Sequence, residues 1–172
     1  MKRYGIEVWK YLRGKFMFEF IYLLLKMIRK FKRKIYLKRL IAKGLKIGKN
    51  VIIVEDFFFD PSHCYLISIE DNCTICPNVR IIAHDASIKK ILGYTKIGKV
   101  EIKKNCFIGD SVIILPGVSI GPNSIVGAGS IVIDDIPANS VAVGNPAKVI
   151  CSLDEYIRKI KKYVKKKESL RK

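Results

Sequence analysis

Residues 102–137 read IKKNCFIGDSVIILPGVSIGPNSIVGAGSIVIDDIP, and they divide into six consecutive blocks of six residues. Every block begins with Ile or Val, and its fifth place holds Cys, Val, Ser or Ile. A period of six matches neither the three-and-four spacing of an amphipathic helix nor the alternation of a half-buried strand. It favours short parallel strands joined by tight turns, with the aliphatic side chains stacked in ladders. Three blocks would complete one circuit of such a coil.

The same repeat occurs upstream, in blocks that begin at Ile47, Ile53, Ile69, Ile75 and Ile81. Gly, Asn and Asp recur at the turn places, where positive φ is tolerated. We therefore predict an all-β solenoid over 45–150, in which each circuit buries its inner face against its neighbours. Cys73 and Cys106 occupy the fifth place and are expected to face inward as free thiols.

The repeat is interrupted between Ile81 and Ile102, because the spacing of these two block starts is not a multiple of six. The sequence therefore predicts an excursion from the coil over 87–101, and loops that leave a rigid scaffold often carry function. His84 lies at the root of this excursion. An imidazole, with an ordinary pKa of about 6.5, can remove a proton from a hydroxyl near neutral pH. A structural histidine bonded to the loop backbone is the alternative.

Three further polar residues accompany His84. Asp85 falls on an inward fifth place, where an unpaired carboxylate would be costly. We expect either that the coil is distorted there or that Asp85 hydrogen-bonds His84 or loop N–H groups, and we take Asp85 with His84 as candidate catalytic residues. Asp60 and His63 lie one circuit earlier and are candidates for contact with an acceptor substrate, although His63 could instead be structural.

The charge is concentrated at the two ends of the chain. Residues 1–50 carry a net charge of +14, residues 51–150 carry −2 and residues 151–172 carry +6. Residues 6–43 contain no proline and predict a helix within a basic extension over 1–44. Its apolar run, 16–25, is too short to cross a bilayer. The helix could lie on an anionic membrane or cap the end of the coil, and both interpretations stay open.

The C-terminal segment 151–172 predicts a second basic helix, over about 152–167. Ser152 and Glu155 have the spacing of a capping box. Aromatic residues hardly interleave with its lysines and no groove-reading motif occurs, so a nucleic-acid partner is not expected. We see no cleavable signal and expect a cytoplasmic protein, with peripheral contact at the inner membrane face as an extension of that expectation.

Residues 105–150 carry the patterns IG-x-x-V-x-I-x-PGV-x-IG, GAGSIV, DIP-x-N and G-x-PAK-x-I. They resemble the hexapeptide-repeat acyltransferases of the galactoside and maltose acetyltransferase type. Residues 65–87, YLISIEDNCTICPNVRIIAHDAS, resemble the capsule and lipopolysaccharide O-acetyltransferases. The resemblance covers about 50–150. It implies a left-handed parallel β-helix, a homotrimer, and acetyl-CoA bound in a cleft between neighbouring chains.

The resemblance also implies roles for particular residues. His84 would act as general base on an acceptor hydroxyl that attacks the thioester directly, and a backbone N–H near Gly109 would stabilise the oxyanion. Two departures from the family are an aromatic Phe107 where tryptophan is frequent, and Ile133–Asp134 in place of a Thr-Lys pair. The implied contacts to coenzyme A are Phe107, Gly109, Asp110, Gly127, Ala128 and Lys148.

These features favour transfer of an acetyl group to a sugar hydroxyl, in a surface polysaccharide or lipid-linked glycan. An amino sugar as acceptor, and a non-catalytic basic trimer that binds nucleic acid, are the alternatives. A zinc carbonic anhydrase requires three imidazole ligands, whereas this chain has two histidines. No metal site is therefore expected.

Overall fold

A computed structural model describes the backbone of residues 2–54 and 56–169, and the side chains of 17, 19–54 and 56–163. The chain divides into two compact units, Met1–Arg39 and Leu40–Lys172. Helix α1 (Lys2–Ala42) makes up the first unit and ends inside the second. Neither α1 nor any other described helix carries the unbroken apolar run that crossing a bilayer requires.

The second unit is built from two- and three-residue strands, with two longer ones near its end. It also contains a 3₁₀ turn at Cys64–Leu66 and the helices α2 (Lys89–Leu92) and α3 (Leu153–Ser169). The strands are β1 (Lys46–Ile47), β2 (Ile52–Ile53), β3 (Phe58–Phe59), β4 (Ile67–Ile69), β5 (Thr74–Ile75), β6 (Arg80–Ile81), β7 (His84–Asp85), β8 (Lys96–Ile97), β9 (Val100–Ile102), β10 (Phe107–Ile108), β11 (Ile113–Ile114), β12 (Ser119–Ile120), β13 (Ile125–Val126), β14 (Ile131–Val132), β15 (Ser140–Gly144) and β16 (Ala147–Ser152).

Successive strands visit three sheets in turn. Sheet I has the order β1-β4-β9-β12, sheet II the order β16-β15-β13-β10-β5-β2, and sheet III the order β14-β11-β6-β3. All pairs in these sheets are parallel except β15 with β16, which closes sheet II as an antiparallel pair. β7 and β8 form a separate antiparallel pair outside the three sheets. Each circuit therefore contributes one short strand to each sheet.

The inward ladders are those that the hexads predict. The first place of each block is buried from Ile69 to Val132, and the smaller fifth place is buried beside it except at Asp85. The prediction that Cys73 and Cys106 face inward is confirmed, because they are 0% and 2% exposed. Inside the later circuits, two serine hydroxyls donate to backbone carbonyl oxygens, which removes the cost of an unpaired buried hydroxyl. These bonds are Ser124 to Pro137 (2.8 Å) and Ser130 to Gly127 (2.7 Å).

The turns fall at the fourth place of most blocks, and this place has positive φ except at His84 and Asp135. Five asparagines stack at one corner from circuit to circuit, and the first four donate a side-chain amide N–H to the oxygen of the next at 2.8–3.2 Å. Asparagine tolerates left-handed backbone better than most residues do. The members of this ladder, with φ between 55° and 60°, are Asn50, Asn72, Asn105, Asn123 and Asn139.

The register locates two insertions at one corner of the coil. A regular circuit pairs a residue with the one three blocks on, as Ile108 pairs with Val126. Ile69 pairs instead with Ile102, so the circuit between them is longer by two and a half blocks. Ile47 pairs with Ile69, four residues further than the regular spacing. Because pairing in sheets II and III keeps the same offsets, both insertions leave the coil between sheet III and sheet I.

The two ends of the second unit are tied to the coil. Leu40, in the last turn of α1, is 2% exposed, and the Cys64 thiol lies 3.6 Å from its carbonyl oxygen. At the start of α3, the Leu153 N–H donates to the Asn139 carbonyl oxygen at 2.8 Å, and the Ser152 hydroxyl caps the helix by accepting a hydrogen bond from the Glu155 N–H at 3.2 Å.

We predict that Asn105→Ala lowers the free energy of unfolding by about 1–3 kcal/mol, because it loses two ladder bonds and places alanine in left-handed backbone. Asn105→Gly is the matched control, since glycine adopts positive φ without strain. Thermal unfolding followed by circular dichroism should rank wild type above the glycine variant and the glycine variant above the alanine variant. Equal midpoints for the two variants would contradict the strain argument.

Candidate active site

The two insertions stack on each other and bring three polar side chains together. Asp60 directly follows β3, and its N–H donates to the Ile81 carbonyl at 2.9 Å, so it continues the ladder between circuits. His63 lies in the four-residue insertion, just before the 3₁₀ turn. His84 opens β7, where the chain leaves the coil one circuit later. Asp60 and His84, 24 apart in sequence, therefore meet at one corner.

The Asp60 carboxylate is the buried centre of this cluster and is 0% exposed. One oxygen, Oδ1, accepts hydrogen bonds from the N–H groups of Ser62 (3.0 Å) and His63 (3.2 Å). The other, Oδ2, accepts from the Ala83 N–H (3.2 Å) and from Nδ1 of His84. Four donors surround the carboxylate, which is how a buried charge becomes tolerable.

These contacts determine the protonation of Asp60. Burial raises the pKa of its carboxyl group, but the hydrogen bonds from His84 and from the N–H groups of Ser62, Ala83 and His63 outweigh burial. The net pKa lies below the ordinary value of 3.8. Asp60 is therefore an anion at neutral pH, and it fixes the proton of the neutral His84 ring on Nδ1.

The other ring nitrogen of His84, Nε2, is not used in the bond to Asp60. The His84 side chain is 37% exposed, whereas its carboxylate partner is fully buried. With Nδ1–H donated to Asp60, Nε2 carries the lone pair. An imidazole oriented by a buried carboxylate is the arrangement that general-base catalysis by histidine uses.

His63 lies beside this pair. Its ring centroid is 4.9 Å from that of His84, and its Nδ1 is 3.6 Å from Oδ2 of Asp60. That nitrogen is buried and has no hydrogen-bond partner among the described residues. One donor atom from each of Asp60, His63 and His84 lies within 4.8 Å of the other two, so this cluster could hold a metal ion.

Asp85 does not face inward, because the coil is distorted at this point, which is one of the two alternatives that the sequence left open. The chain leaves the coil after the buried Ala83, and Asp85 is exposed in β7, where it pairs with Lys96. Its carboxylate accepts the Ser87 N–H at 2.8 Å, so the expected bond to a loop N–H is present. Hydrogen bonds from the Ser87 backbone and side chain hold the pKa of Asp85 below its usual value. The partner of His84 is therefore Asp60, which the sequence had suggested only for acceptor contact.

The residues predicted to bind coenzyme A lie at another part of the coil. Phe107, 43% exposed, is on sheet II, and the segments 109–110 and 127–128 form the corner between sheets II and III on consecutive circuits. Lys148, in β16, makes an exposed ion pair with Asp134 at 3.1 Å. Within one chain these residues and His84 thus occupy different corners.

The glycines of this second corner are required by the coil itself. A Cβ on Gly109 would lie 2.6 Å from the backbone N of Ala128, and one on Gly127 would lie 2.6 Å from Cγ1 of Val143. The Gly109 N–H already donates to the Val126 carbonyl at 2.8 Å, so it is not available as an oxyanion donor. Gly129 has open space around it and a φ of +69°, which its turn requires.

Comparison with known proteins identifies the class. Residues 99–134 match the family model described as bacterial transferase hexapeptide (six repeats). The galactoside O-acetyltransferase of Escherichia coli is 39% identical over 118 residues, which cover 67% of this chain and 54% of that protein. The crystal structure of a maltose O-acetyltransferase from Clostridium difficile is 33% identical with a TM-score of 0.54, covering 66% of this chain and 72% of that one.

A hexapeptide-repeat acetyltransferase from Vibrio cholerae, solved with acetyl coenzyme A, superposes with a TM-score of 0.58 and 28% identity over 64% of this chain and 61% of that one. The chain belongs to the hexapeptide-repeat transferase family. It spans only 54–59% of the length of the curated relatives it matches.

The lowered pKa of Asp60 predicts how stability depends on pH. The carboxylate stabilises the folded state above the ordinary pKa of 3.8, and this contribution is lost as the pH falls through the lower folded-state pKa. The difference in unfolding free energy between wild type and Asp60→Asn should be about 1–3 kcal/mol at pH 7 and should shrink below about pH 4. Urea unfolding at a series of pH values measures it.

Asp85→Asn is the control, because its exposed carboxylate should give a much smaller difference at every pH. A difference for Asp60→Asn that grows as the pH falls below about 4 would contradict a stabilising ionised Asp60.

Proposed function

We propose that this chain transfers the acetyl group of acetyl-CoA to a sugar hydroxyl, with His84 as general base. The observation that carries the proposal is the bond between the buried Asp60 carboxylate and Nδ1 of His84. It occurs in a member of a family whose relatives include sugar O-acetyltransferases.

The proposed reaction is a direct transfer. Nε2 of His84 removes the proton of the acceptor hydroxyl while the hydroxyl oxygen attacks the thioester carbonyl. The resulting imidazolium is stabilised by the Asp60 anion through the Nδ1–H bond. When the tetrahedral intermediate collapses, the C–S bond breaks and the thiolate of coenzyme A receives the proton from Nε2. None of the five free cysteines is needed as a nucleophile.

In this scheme Asp60 is a positioning residue, because it is fully buried and reaches the substrate only through His84. His63 borders the base and, being partly exposed, is proposed to contact the acceptor. Asp85 is assigned to shaping the excursion through its bond to Ser87. An amino sugar could replace the hydroxyl acceptor without change to these roles, so the choice between oxygen and nitrogen depends on the excursion.

The separation of the two corners favours an assembly. We infer a left-handed coil that forms homotrimers, in which the sheet II–III corner of one chain supplies the coenzyme contacts and the III–I corner of its neighbour supplies His84. Phe107, Gly109 and Ala128 would line the pantetheine arm, and Lys148 would approach a coenzyme phosphate. The exposed Lys148 amine is paired with the exposed Asp134, and such a pair is weak enough to be exchanged for a phosphate.

The scheme predicts the order of activities among three variants. His84→Ala should lower acceptor-dependent release of free coenzyme A by about 10²–10⁴-fold, since it removes the base. Asp60→Asn should lower kcat by about 10²-fold or more, because an amide can hold the wrong tautomer of His84. Asp85→Asn should lose only a few-fold. The measurement is thiol release from acetyl-CoA with a panel of sugars and amino sugars.

Circular dichroism of each variant is the control for folding. A folded Asp60→Asn variant with undiminished kcat would exclude the positioning role. An Asp85→Asn variant as impaired as His84→Ala would indicate that Asp85 is the carboxylate on which catalysis depends.

We further propose that α1 contacts an anionic membrane surface. Within its described part, large apolar side chains are exposed on all sides of the run that ends at Leu25, including Phe20, Tyr22 and Leu23. Ten residues of helix cover about 15 Å, half of a bilayer core, which agrees with shallow insertion and not with spanning. The segment that follows, 26–39, contains eight Lys or Arg and no acidic residue. Such a basic segment complements anionic headgroups.

Replacing four basic residues of α1 by glutamine should weaken binding to vesicles with anionic lipid at least about tenfold, since each charge near the surface is worth about 1 kcal/mol. Cosedimentation with vesicles of phosphatidylglycerol and phosphatidylcholine measures it, with pure phosphatidylcholine as reference. The matched control makes the same charge change in α3. The α1 substitutions are at Lys26, Arg29, Lys30 and Arg33, and the α3 substitutions at Arg158, Lys159, Lys161 and Lys162.

Unchanged binding of the α1 variant, or equal losses in both variants, would exclude a specific contact through α1.

A further inference from the structure

We propose that Asp60, His63 and His84 form a zinc site, and that zinc bound there removes the general base. The donor atoms are already gathered, one from each side chain within 4.8 Å of the others. Counting imidazoles in the sequence argues against a metal, but the ligand set that the fold assembles is two imidazoles and one carboxylate. Three protein ligands with a fourth position left for water is a frequent composition of open zinc sites.

The geometry needs little change to hold the ion. Zinc bonds of about 2.0–2.2 Å in a tetrahedron place neighbouring donor atoms about 3.3 Å apart. Nδ1 of His63 is 3.6 Å from Oδ2 of Asp60, close to that separation. Nδ1 of His84 is in direct hydrogen-bond contact with the same oxygen, so its ring would retreat slightly as the ion replaces the shared proton.

A second observation also points to a ligand. Nδ1 of His63 is buried and lacks a hydrogen-bond partner among the described residues, which is costly for a polar nitrogen. The neighbouring Asp60 carboxylate accepts its hydrogen bonds from His84 and from backbone N–H groups, and not from this nitrogen of His63. A cation between the three side chains would give this nitrogen a partner and would also bind the carboxylate. Imidazole donors favour zinc over magnesium or calcium.

Zinc would change the tautomer of His84. In the hydrogen-bonded pair, the neutral ring carries its proton on Nδ1 and its lone pair on Nε2. A metal ion on Nδ1 requires the lone pair of that nitrogen, so the one remaining ring proton moves to Nε2. The ring keeps one proton in all, and no proton is released by this exchange. Nε2–H cannot accept a proton from an acceptor hydroxyl, and general-base catalysis stops.

The binding arm of the test does not depend on activity. Zinc chloride is titrated by calorimetry into full-length protein that has been treated with EDTA. We expect one zinc per chain, with the affinity lowered about 100-fold or more in His63→Ala and in His84→Ala. Asp85→Asn is the matched control and should bind zinc as the wild type does, because its carboxylate lies in the exposed strand bonded to Ser87. Binding below one zinc per chain, or unchanged affinity in His63→Ala, would overturn the site.

The tautomer arm uses ¹⁵N-labelled histidine and NMR. The His84 ring, assigned by comparison with His84→Ala, should carry its proton on Nδ1 without zinc and on Nε2 with zinc. A proton that stays on Nδ1 after zinc has bound would overturn the loss of the base.

The inhibition arm rests on the proposed acetyl transfer. Release of coenzyme A should fall over the zinc concentrations at which calorimetry shows binding, and EDTA should restore it. Full activity of the zinc-loaded protein would overturn the inhibition while leaving the acetyltransferase intact. If no acceptor gives release even without zinc, the proposed acetyl transfer fails, and the calorimetric and NMR arms still decide the zinc site.

Discussion

The whole second unit depends on the hydrogen-bonded register between successive circuits. Each two-residue strand is too short to be stable alone, so it gains its partners only from the circuits before and after it. This register requires glycine at 109, because a Cβ there would lie 2.6 Å from the backbone of the next circuit. It also aligns the asparagines of the turn ladder. Extra residues cannot be accommodated within a strand without shifting the ladder. They must leave at a corner and return in phase.

The chemistry of the molecule follows from where those extra residues leave. The four-residue insertion brings Asp60 and His63, and the longer insertion one circuit later brings His84. Both leave at the same corner, so the stacking of circuits sets the distance between the carboxylate and the imidazole. The burial of Asp60 would be unfavourable alone, but three backbone N–H groups and His84 compensate it. The coil thus holds an imidazole whose orientation is fixed by a buried carboxylate.

The same three side chains support two different states. A proton on Nδ1 of His84 leaves a base at Nε2, and a cation in its place would remove that base. His63 would be a ligand only in the zinc-bound state. Its Nδ1 has no hydrogen-bond partner among the described residues and lies close to Oδ2 of Asp60. Apart from this corner, α1 concentrates basic charge beside an apolar run, and the coil is nearly neutral. Charge and chemistry are therefore carried by separate parts of the chain.

The sequence alone determined the repeat, the inward ladders, the turn asparagines and the family, because a six-residue period is a local property that each block restates. It also singled out His84, because an interruption in a strict period is visible without coordinates. It left open how Asp85 avoids the inward place, and the structure shows that the chain has already left the coil after Ala83. Only the tertiary structure chose Asp60 as the partner of His84, 24 positions away. That choice depends on the stacking register of two insertions of different length, which no local pattern of residues specifies.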